Sequence, residues 1–377
     1  MLDKLMKEEH SVLQEKTSAR RSFFNRNQTL VLAVVFLFIA WTGNAETYYV
    51  SNSGNDANSG TTPESAWQTI NKVNNTAFAP GDRILFQRGD EWREQLTISS
   101  SGISGNPIVF DAYGSGARPV INGSDLVTNW NQVNNSQVWQ ASVSDPKIVL
   151  FDNKLGRERL TKGALDTDGD WFWSGGVLYI YSDKAPSARK TEVGARNYGI
   201  YDNDNSNFII QNIEVKGTNT HGIGLVGNNP NSYVTIDRCY IHHTRMDGII
   251  INGGYGNVTV RDSKAEYTGS GFYCSPNSNN NTFIRDTANY NIHYIPGTNT
   301  RGRFADGHGF GNEASDNIVW EYCYADGNYA NFAIDDSNTG RSSIIRYCKS
   351  YNSQSQSYGY LLGRLGSGGS INMYYNL

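Results

Sequence analysis

Residues able to transfer protons are concentrated in one stretch of the second half of the chain. An aspartate and a histidine alternate with glycines in Asp306-Gly-His308-Gly, and an Asp-Asp pair and an arginine follow. A carboxylate or an imidazole can act as a general acid or base, and an arginine can neutralise or deprotonate an acidic substrate. We therefore predict a catalytic group of five residues: Asp306, His308, Asp335, Asp336 and Arg364.

Two bond-cleaving reactions are compatible with this group. In β-elimination, carboxylates alone or through Ca²⁺ neutralise a uronate, and an arginine or histidine removes its C5 proton. In hydrolysis, two carboxylates act as acid and base. We favour elimination, with Ca²⁺ as the cofactor that it could use. In a third interpretation the aspartates only satisfy turn backbones, and the protein binds glycans without cleaving them.

Residues suited to holding a chain of sugars lie beside this group. Cationic and aromatic side chains can pair with carboxylates and stack on sugar rings, although tyrosine is also a common strand residue. The predicted binding residues are Arg301, Arg303, Tyr294 and Tyr358. A second polar surface is predicted at corners earlier in the chain: His221, His242, His243, Arg245, Asp247, Glu266 and Tyr267.

These residues belong to a repeat that begins near residue 208, with segments of about 24 to 26 residues and one longer segment. Each segment opens with a short strand of alternating apolar residues. One predicted apolar column is Ile210, Ile236, Val260, Ile284, Trp320 and Ile345. A second column of smaller residues is Ile213, Cys239, Ser263, Thr287, Cys323 and Cys348. The longer segment places about 12 extra residues within 292–305, and long insertions in regular repeats are often functional.

The repeat predicts an all-β solenoid. A second strand in most segments, usually opened by glycine as in Gly248-Ile-Ile-Ile, and polar corners indicate stacked turns whose backbones pair with the turns above and below. Alignment in columns distinguishes this pattern from a β-sandwich. The predicted fold is a parallel β-helix, and the strand begun near Ile371 indicates further turns beyond Leu377.

Residues 46–123 resemble the first segment of secreted right-handed parallel β-helix proteins of the pectate-lyase-like superfamily. The resemblance is carried by Tyr48-Tyr-Val-Ser51, Trp67-Gln-Thr-Ile70 and Pro80-Gly-Asp-Arg-Ile-Leu-Phe86. It implies a short capping helix within Thr69–Asn75 and a polysaccharide as the partner. It does not fix the reaction, because this fold hosts several chemistries.

Two catalytic patterns of related families match only in part. The layout around Asp306 and Gly359-Tyr-Leu361-Leu-Gly363 resembles pectate lyases that use a lysine base beside Ca²⁺. Leu361 occupies the position of that lysine, and a leucine cannot accept a proton. Gly307-His308-Gly309 resembles a polygalacturonase motif, but there the paired aspartates precede the histidine. We therefore assign neither family's complete mechanism to this chain.

The chain divides into four predicted parts: 1–45, an export signal or N-terminal anchor; 46–123, the cap and first turns; 124–200, an inserted β-rich lobe; and 201–377, the repeating turns. Residues 30–41 are an uncharged apolar run of 12, shorter than the about 20 residues that span a bilayer. We expect cleavage after Ala45 and a location outside the cytoplasm, secreted, periplasmic or at the cell surface. Uncleaved, residues 30–41 would serve as a membrane anchor.

Charge and cysteines limit the partners. Residues 46–377 carry 26 Lys and Arg against 32 Asp and Glu, which argues against nucleic acid as a partner because phosphate binding needs clustered positive charge.

The four cysteines lack the spacing of a zinc site. Cys323 and Cys348 share a column, so a disulfide is one reading and stacked buried thiols are the other. Asp166, Asp168 and Asp170 form a candidate Ca²⁺ turn. We expect a monomer.

Overall fold

The computed structural model describes residues 45–291, 307–335, 341–353, 358–362 and 370–377. Their strands, numbered β1–β35 in chain order, form three long parallel sheets and two small sheets in the lobe. Among the described residues, eight turns contribute one strand to each of the sheets A, B and C, and sheet A has one further strand at each end. The predicted all-β parallel β-helix is confirmed. Among the described residues, no helix has both the length and the apolar character needed to cross a bilayer.

Sheet A is the longest of the three. In spatial order its strands are β1 Thr47–Val50, β2 Arg83–Gln87, β5 Ile108–Tyr113, β17 Phe208–Gln211, β20 Val234–Asp237, β23 Val258–Arg261, β26 Thr282–Ile284, β29 Ile318–Glu321, β32 Ser342–Arg346 and β35 Ser370–Tyr374. At its first end lies the predicted capping helix, α1 Ile70–Asn74, whose N-cap Thr69 accepts a hydrogen bond from the backbone of Lys72.

Sheets B and C complete each turn. Sheet B contains β3 Glu91–Trp92, β6 Val120–Asn122, β18 Glu214–Lys216, β21 Tyr240–His242, β24 Lys264–Glu266, β27 Thr287–Asn289, β30 Tyr324–Asp326 and β33 Lys349–Tyr351. Sheet C contains β4 Leu96–Thr97, β16 Tyr198–Asn203, β19 His221–Val226, β22 Asp247–Asn252, β25 Ser270–Cys274, β28 His308–Glu313, β31 Ala330–Asp335 and β34 Tyr358–Leu362.

The register of sheet A confirms the first predicted column except at one position. Ile210 pairs with Ile236 and Ile236 with Val260, but Val260 pairs with Phe283 and not with Ile284. Phe283 is buried, and it continues the column to Trp320. The prediction was wrong by one residue because Phe283 and Ile284 are both apolar, so alternation alone did not fix which one faces inward.

The same shift corrects the second column, where Asp286 replaces the predicted Thr287. Asp286 is fully buried, and it accepts hydrogen bonds from the backbone N–H groups of Ser263 and Ile284. Burial raises the pKa of this carboxyl well above its usual value, against the lowering effect of those hydrogen bonds. The four cysteines, all described, are buried and free, which agrees with the reading of Cys323 and Cys348 as buried thiols and not as a disulfide.

The corner between sheets A and B has a left-handed backbone residue in nearly every turn. Positive φ angles of 52° to 59° occur at Asn212, Arg238, Asp262, Arg285, Tyr322 and Tyr347. Asparagine and aspartate favour such a φ, but arginine and tyrosine do not. The backbone N–H of each of the six donates to a carbonyl of the next turn, as from Asp262 to Ile284. Hydrogen bonding between turns therefore sets the corner, and side-chain preference is secondary.

The lobe consists of antiparallel sheets together with one parallel pair. One contains β7 Ser124–Leu126, β10 Val149–Phe151, β11 Lys154–Leu155 and β15 Thr191–Gly194; the other contains β8 Asn131–Gln132, β9 Val138–Ser142, β12 Arg157–Glu158, β13 Asp170–Ser174 and β14 Val177–Tyr181. It has a small apolar core of its own. Strand β16, which starts at Tyr198, pairs with β4 and β19, so the solenoid resumes before residue 200.

A buried ionic cluster fastens the lobe to the first turns. Glu192 of β15 is fully buried; its Oε1 lies 2.8 Å from a guanidinium nitrogen of Arg93 and accepts from Asn122 at 3.0 Å, and its Oε2 lies 3.0 Å from Lys190 Nζ. Burial alone would raise the pKa of Glu192, but hydrogen bonds from Arg93 and Lys190 outweigh it and lower the pKa to about 2. The cluster therefore requires the ionised carboxylate.

Stacked phenylalanines fill the interior beside sheet C. Phe272, Phe310 and Phe332 stack face to face at 4.9 and 5.0 Å, and Tyr360 continues the stack at 5.2 Å. We predict that Phe310→Ala lowers the free energy of unfolding by about 3–5 kcal/mol, because it removes the middle of the stack and leaves a cavity. Urea denaturation measures this. Leu160→Ala, at a side chain 58% exposed, is the control, and an equal effect of both changes would contradict the prediction.

We also predict that Glu192 makes the protein sensitive to acid. The depressed pKa stabilises the fold fully above the ordinary glutamate pKa of about 4.3, and this contribution is lost as pH falls toward 2. Glu192→Gln should lower the free energy of unfolding at pH 7 on the order of 3 kcal/mol and should flatten its decline in acid. Denaturation from pH 7 to pH 2 tests this, with exposed Glu64→Gln as the control. An unchanged acid profile in Glu192→Gln would refute it.

Candidate functional site

The first residues of the sheet C strands form a polar column along the solenoid axis. The β-strand register places His221, Asp247, Ser270 and His308 on four consecutive turns. Neighbouring turns of a parallel sheet lie about 4.8 Å apart. The backbone N–H of His308 donates to Ser270 Oγ at 3.3 Å. Chemically competent side chains are thus arranged in a line along the axis, with Ser270 fully buried and Asp247 and His308 nearly so.

Within the column, a histidine faces a carboxylate. Nδ1 of His221 lies 3.0 Å from Oδ2 of Asp247, and both side chains are nearly buried, with 13% and 6% exposed. Tyr198 stacks on His221 with ring centroids 5.6 Å apart. The imidazole is thus packed between an aromatic ring and a carboxylate within proton-transfer distance, although the Nδ1 contact lacks hydrogen-bond geometry.

The predicted catalytic residue His308 lies at the start of β28 and is 7% exposed. Its ring stacks on Tyr273 with centroids 6.1 Å apart, and the Tyr273 hydroxyl donates to Glu313 Oε2 at 3.2 Å. A Cβ at Gly311 would lie 2.4 Å from the Tyr273 ring and 3.0 Å from His308 Nδ1. The glycine therefore leaves room for both rings, and Tyr273 connects the two ends of sheet C.

Six of the other predicted site residues lie outside the part of the chain that the structure describes. These six are Asp306, Asp336, Arg364, Arg301, Arg303 and Tyr294. Asp335 ends β31 in register with Glu313, whereas His308 and Tyr358 share the opposite end of sheet C, in register with Ala330. With a rise of about 3.3 Å per residue, the Cα atoms of His308 and Asp335 are separated by about 16 Å or more. The structure does not bring these two residues together.

The corner between sheets B and C carries the second predicted polar surface. Nε2 of His242 lies 3.0 Å from Glu214 Oε1, and its Nδ1 lies 2.5 Å from Nδ1 of His243. The hydroxyl of Tyr240 donates to Glu266. Burial alone would raise the pKa of Glu266, but hydrogen bonds from Lys264 and Tyr240 keep it below its usual value.

Two residues near His308 were missed: Glu313, because its strand was not recognised from the sequence, and Tyr273, because its own strand was recognised but the neighbouring strand was not. Tyr273 and Glu313 were not among the predicted site residues. The segment Gly309-Phe-Gly-Asn312 aligns in register with Gly271-Phe-Tyr-Cys274, and this alignment was the available signal. This alignment is hard to see in the sequence, because Gly307-His308-Gly309 follows the long insertion and also resembles a separate motif.

The candidate Ca²⁺ turn of the lobe is occupied by arginines. Asp170 Oδ1 accepts from Arg157 at 2.6 Å, and Asp168 Oδ1 accepts from Arg189 at 2.7 Å. These charge-assisted pairs use the oxygens that a cation would need. Across the described part of the chain, no group of three or more His, Cys, Asp and Glu side chains could hold a metal ion.

Comparison with known proteins agrees with this architecture. The model of the family described as "Right handed beta helix region" matches residues 175–359. Residues 175–359 thus match a right-handed β-helix region, the fold that the sequence predicts. This β-helix superposes on a solved structure described as a complex of XylC with xylose, with a TM-score of 0.63 and 12% identity, over 87% of this chain and 69% of that one.

Two further proteins are similar to this chain. A structure titled "Glycoside hydrolase" superposes with a TM-score of 0.50 and 8% identity over 88% of this β-helix and 96% of that chain. The lacto-N-biosidase of Bifidobacterium longum subsp. longum is 37% identical over 99 residues, which are 24% of this chain and 6% of that protein. The chain thus matches only a small part of this relative's length. At these identities the two solved structures inform on fold alone.

We predict that His243 stays neutral throughout the physiological pH range. Its burial and the neighbouring charge on His242 lower its pKa to about 3, although Glu266 acts in the opposite direction. Its imidazole signals in NMR spectra should not titrate between pH 5 and 8. His242→Gln should raise the pKa of His243, because it removes a repelling charge. Titration of His243 near pH 6.5 in the unmodified protein would contradict this.

Proposed function

We propose that this β-helix is an exported carbohydrate-active enzyme that binds an extended glycan along sheet C and cleaves a glycosidic bond. The observation that carries the proposal is the axial column of His221, Asp247, Ser270 and His308 on consecutive turns. Successive sugars of an extended chain could each face one or two turns. The name of one similar protein, a lacto-N-biosidase, supports carbohydrate as the substrate.

Hydrolysis is the reaction that we now place first. It needs two carboxylates, and their separation decides whether the configuration is retained or inverted. The column supplies Asp247 beside His221, and the far end of sheet C supplies Glu313 in register with Asp335. Neighbouring positions on adjacent turns, about 4.8 Å apart at Cα, suit two carboxylates that act on one bond. The predicted residues Asp306, Asp336 and Arg364 stay part of the proposal.

β-Elimination is the second candidate, and His308 is the observation that favours it. A histidine on the glycan-facing side could remove the C5 proton of a uronate. The two reactions differ in their products. Elimination leaves an unsaturated sugar that absorbs ultraviolet light, whereas hydrolysis produces reducing ends without that absorbance.

The experiment incubates the protein with pectate, alginate and neutral glycans, and follows ultraviolet absorbance together with reducing ends. We expect reducing ends without unsaturated products. Asp335→Asn and Glu313→Gln, at neighbouring positions on adjacent turns, should each lower kcat by about 10²–10⁴-fold, the usual contribution of an acid or base. Asp262→Asn, at the opposite corner, is the matched control.

Three results would count against this proposal. Unsaturated products, abolished by His308→Ala, would replace hydrolysis with elimination. Full activity in both the Glu313 and the Asp335 variant would remove these carboxylates from the reaction. A protein that binds glycans but releases no product from any of them would be a non-catalytic glycan-binding protein.

A further inference from the structure

A cleft of about 410 Å³ lies between the lobe and the corner of sheets B and C. Small-molecule sites typically have roughly 300–1,000 Å³. The lobe contributes Gly156, Glu158 and Trp171, and the turns contribute Arg245, Tyr267 and Tyr290. The cleft also includes Thr268 and Gly269, which directly precede Ser270 in the polar column. Its lining therefore reaches the segment that leads into strand β25 of sheet C.

An unsatisfied donor in the cleft wall indicates a ligand. Trp171 is 3% exposed and packs in the lobe core, yet its Nε1 has no hydrogen-bond partner within the described part of the protein. An indole N–H can only donate, and buried donors are nearly always paired. A Cβ at Gly156 would lie 2.9 Å from Trp171 Cδ1, the ring atom bonded to Nε1. The glycine therefore avoids a clash with this edge of the indole, beside which the cleft lies.

The tyrosines offer edges and hydroxyls, not ring faces. Tyr267 is stacked between His243 at 5.3 Å and Tyr290 at 5.7 Å, so both of its faces are covered. The two tyrosines are nevertheless 41% and 44% exposed. Recognition in this cleft must depend mainly on hydrogen bonds, which suits a ligand rich in hydroxyl groups.

The charges of the cleft are balanced in pairs. Arg245 lies 3.2 Å from Glu158 Oε2 across the cleft, and Arg157 donates to Asp170 at 2.6 Å. Lys147 lies 2.5 Å from Asp145. No unpaired cation among these residues would attract a uronate or sulfate, whereas a paired guanidinium and carboxylate can donate to and accept from neighbouring hydroxyls.

We propose that this cleft between lobe and solenoid binds a neutral sugar of the glycan substrate, with Trp171 Nε1 donating to a sugar oxygen. The inference rests on the proposed function, since the sugar would belong to the glycan held along sheet C. It adds that the lobe selects an uncharged glycan, and so disfavours uronate polymers. Glu158 and Arg245 would bind adjacent hydroxyls.

Binding, measured by calorimetry and by ligand-observed NMR, tests this proposal without turnover. The probes are xylobiose, lactose and digalacturonate. We expect at least one neutral disaccharide to bind and digalacturonate to bind more weakly. The variant Trp171→Phe loses the indole N–H and the five-membered part of the ring. The double variant Tyr267→Phe with Tyr290→Phe loses only the two hydroxyl groups. Each change should weaken binding of the neutral disaccharide by about tenfold.

The matched control is Tyr322→Phe with Tyr347→Phe. These tyrosines have the same left-handed backbone and also stack on each other, at 4.8 Å, but lie at the corner of sheets A and B. They should leave binding unchanged. Tighter binding of digalacturonate, or unchanged binding in both cleft variants, would overturn the inference.

The design separates this inference from the proposed function. Asp335→Asn should abolish cleavage and keep disaccharide binding. If the protein cleaves glycans but the cleft variants keep their affinity and KM, the cleft inference fails and the function stands. If neutral sugar binds through Trp171 but no glycan is cleaved, the function fails and the cleft is a binding site only.

Discussion

The structure depends on backbone pairing between successive turns at one fixed spacing. Each strand of sheets A, B and C finds its hydrogen-bond partners in the turns before and after it, so no turn is stable alone. The same spacing places like residues over one another, and flat rings gain most from it, as in the stack from Phe272 to Tyr360. It also overrides local preference, since arginine and tyrosine adopt left-handed backbone angles at the corners.

This spacing explains what the sequence could and could not predict. Columns of Ile210, Ile236 and Val260 were visible because alternation and a regular repeat reinforce each other. The error at Phe283 arose where two adjacent apolar residues left the register open, and only a neighbouring strand decides such a case. The buried Asp286 was missed for the same reason, since a charged residue was not expected in an interior column.

The candidate site was harder to predict than the fold. His308 could be selected from its type and its position after an insertion, but Tyr273 is recognisable only through its contacts with His308 and Glu313. The predicted grouping of His308 with Asp335 was wrong, because the two residues lie far apart at opposite ends of sheet C. Sequence spacing gives the turn on which a residue lies, whereas its place along the strand requires the register.

The lobe changes what a uniform solenoid can recognise. A regular ladder presents nearly the same surface on every turn, which suits a repeating polymer but cannot by itself mark one sugar. An insertion in a single turn breaks that equivalence. Here the Glu192 cluster fixes the lobe to the first turns, and the pair of Glu158 and Arg245 closes the gap at the corner of sheets B and C. The position of the cleft along the axis is therefore set by the same buried charges that hold the lobe. A glycan lying along sheet C would be held in a defined register, with one sugar in the cleft and the bond to be cleaved a fixed number of turns away.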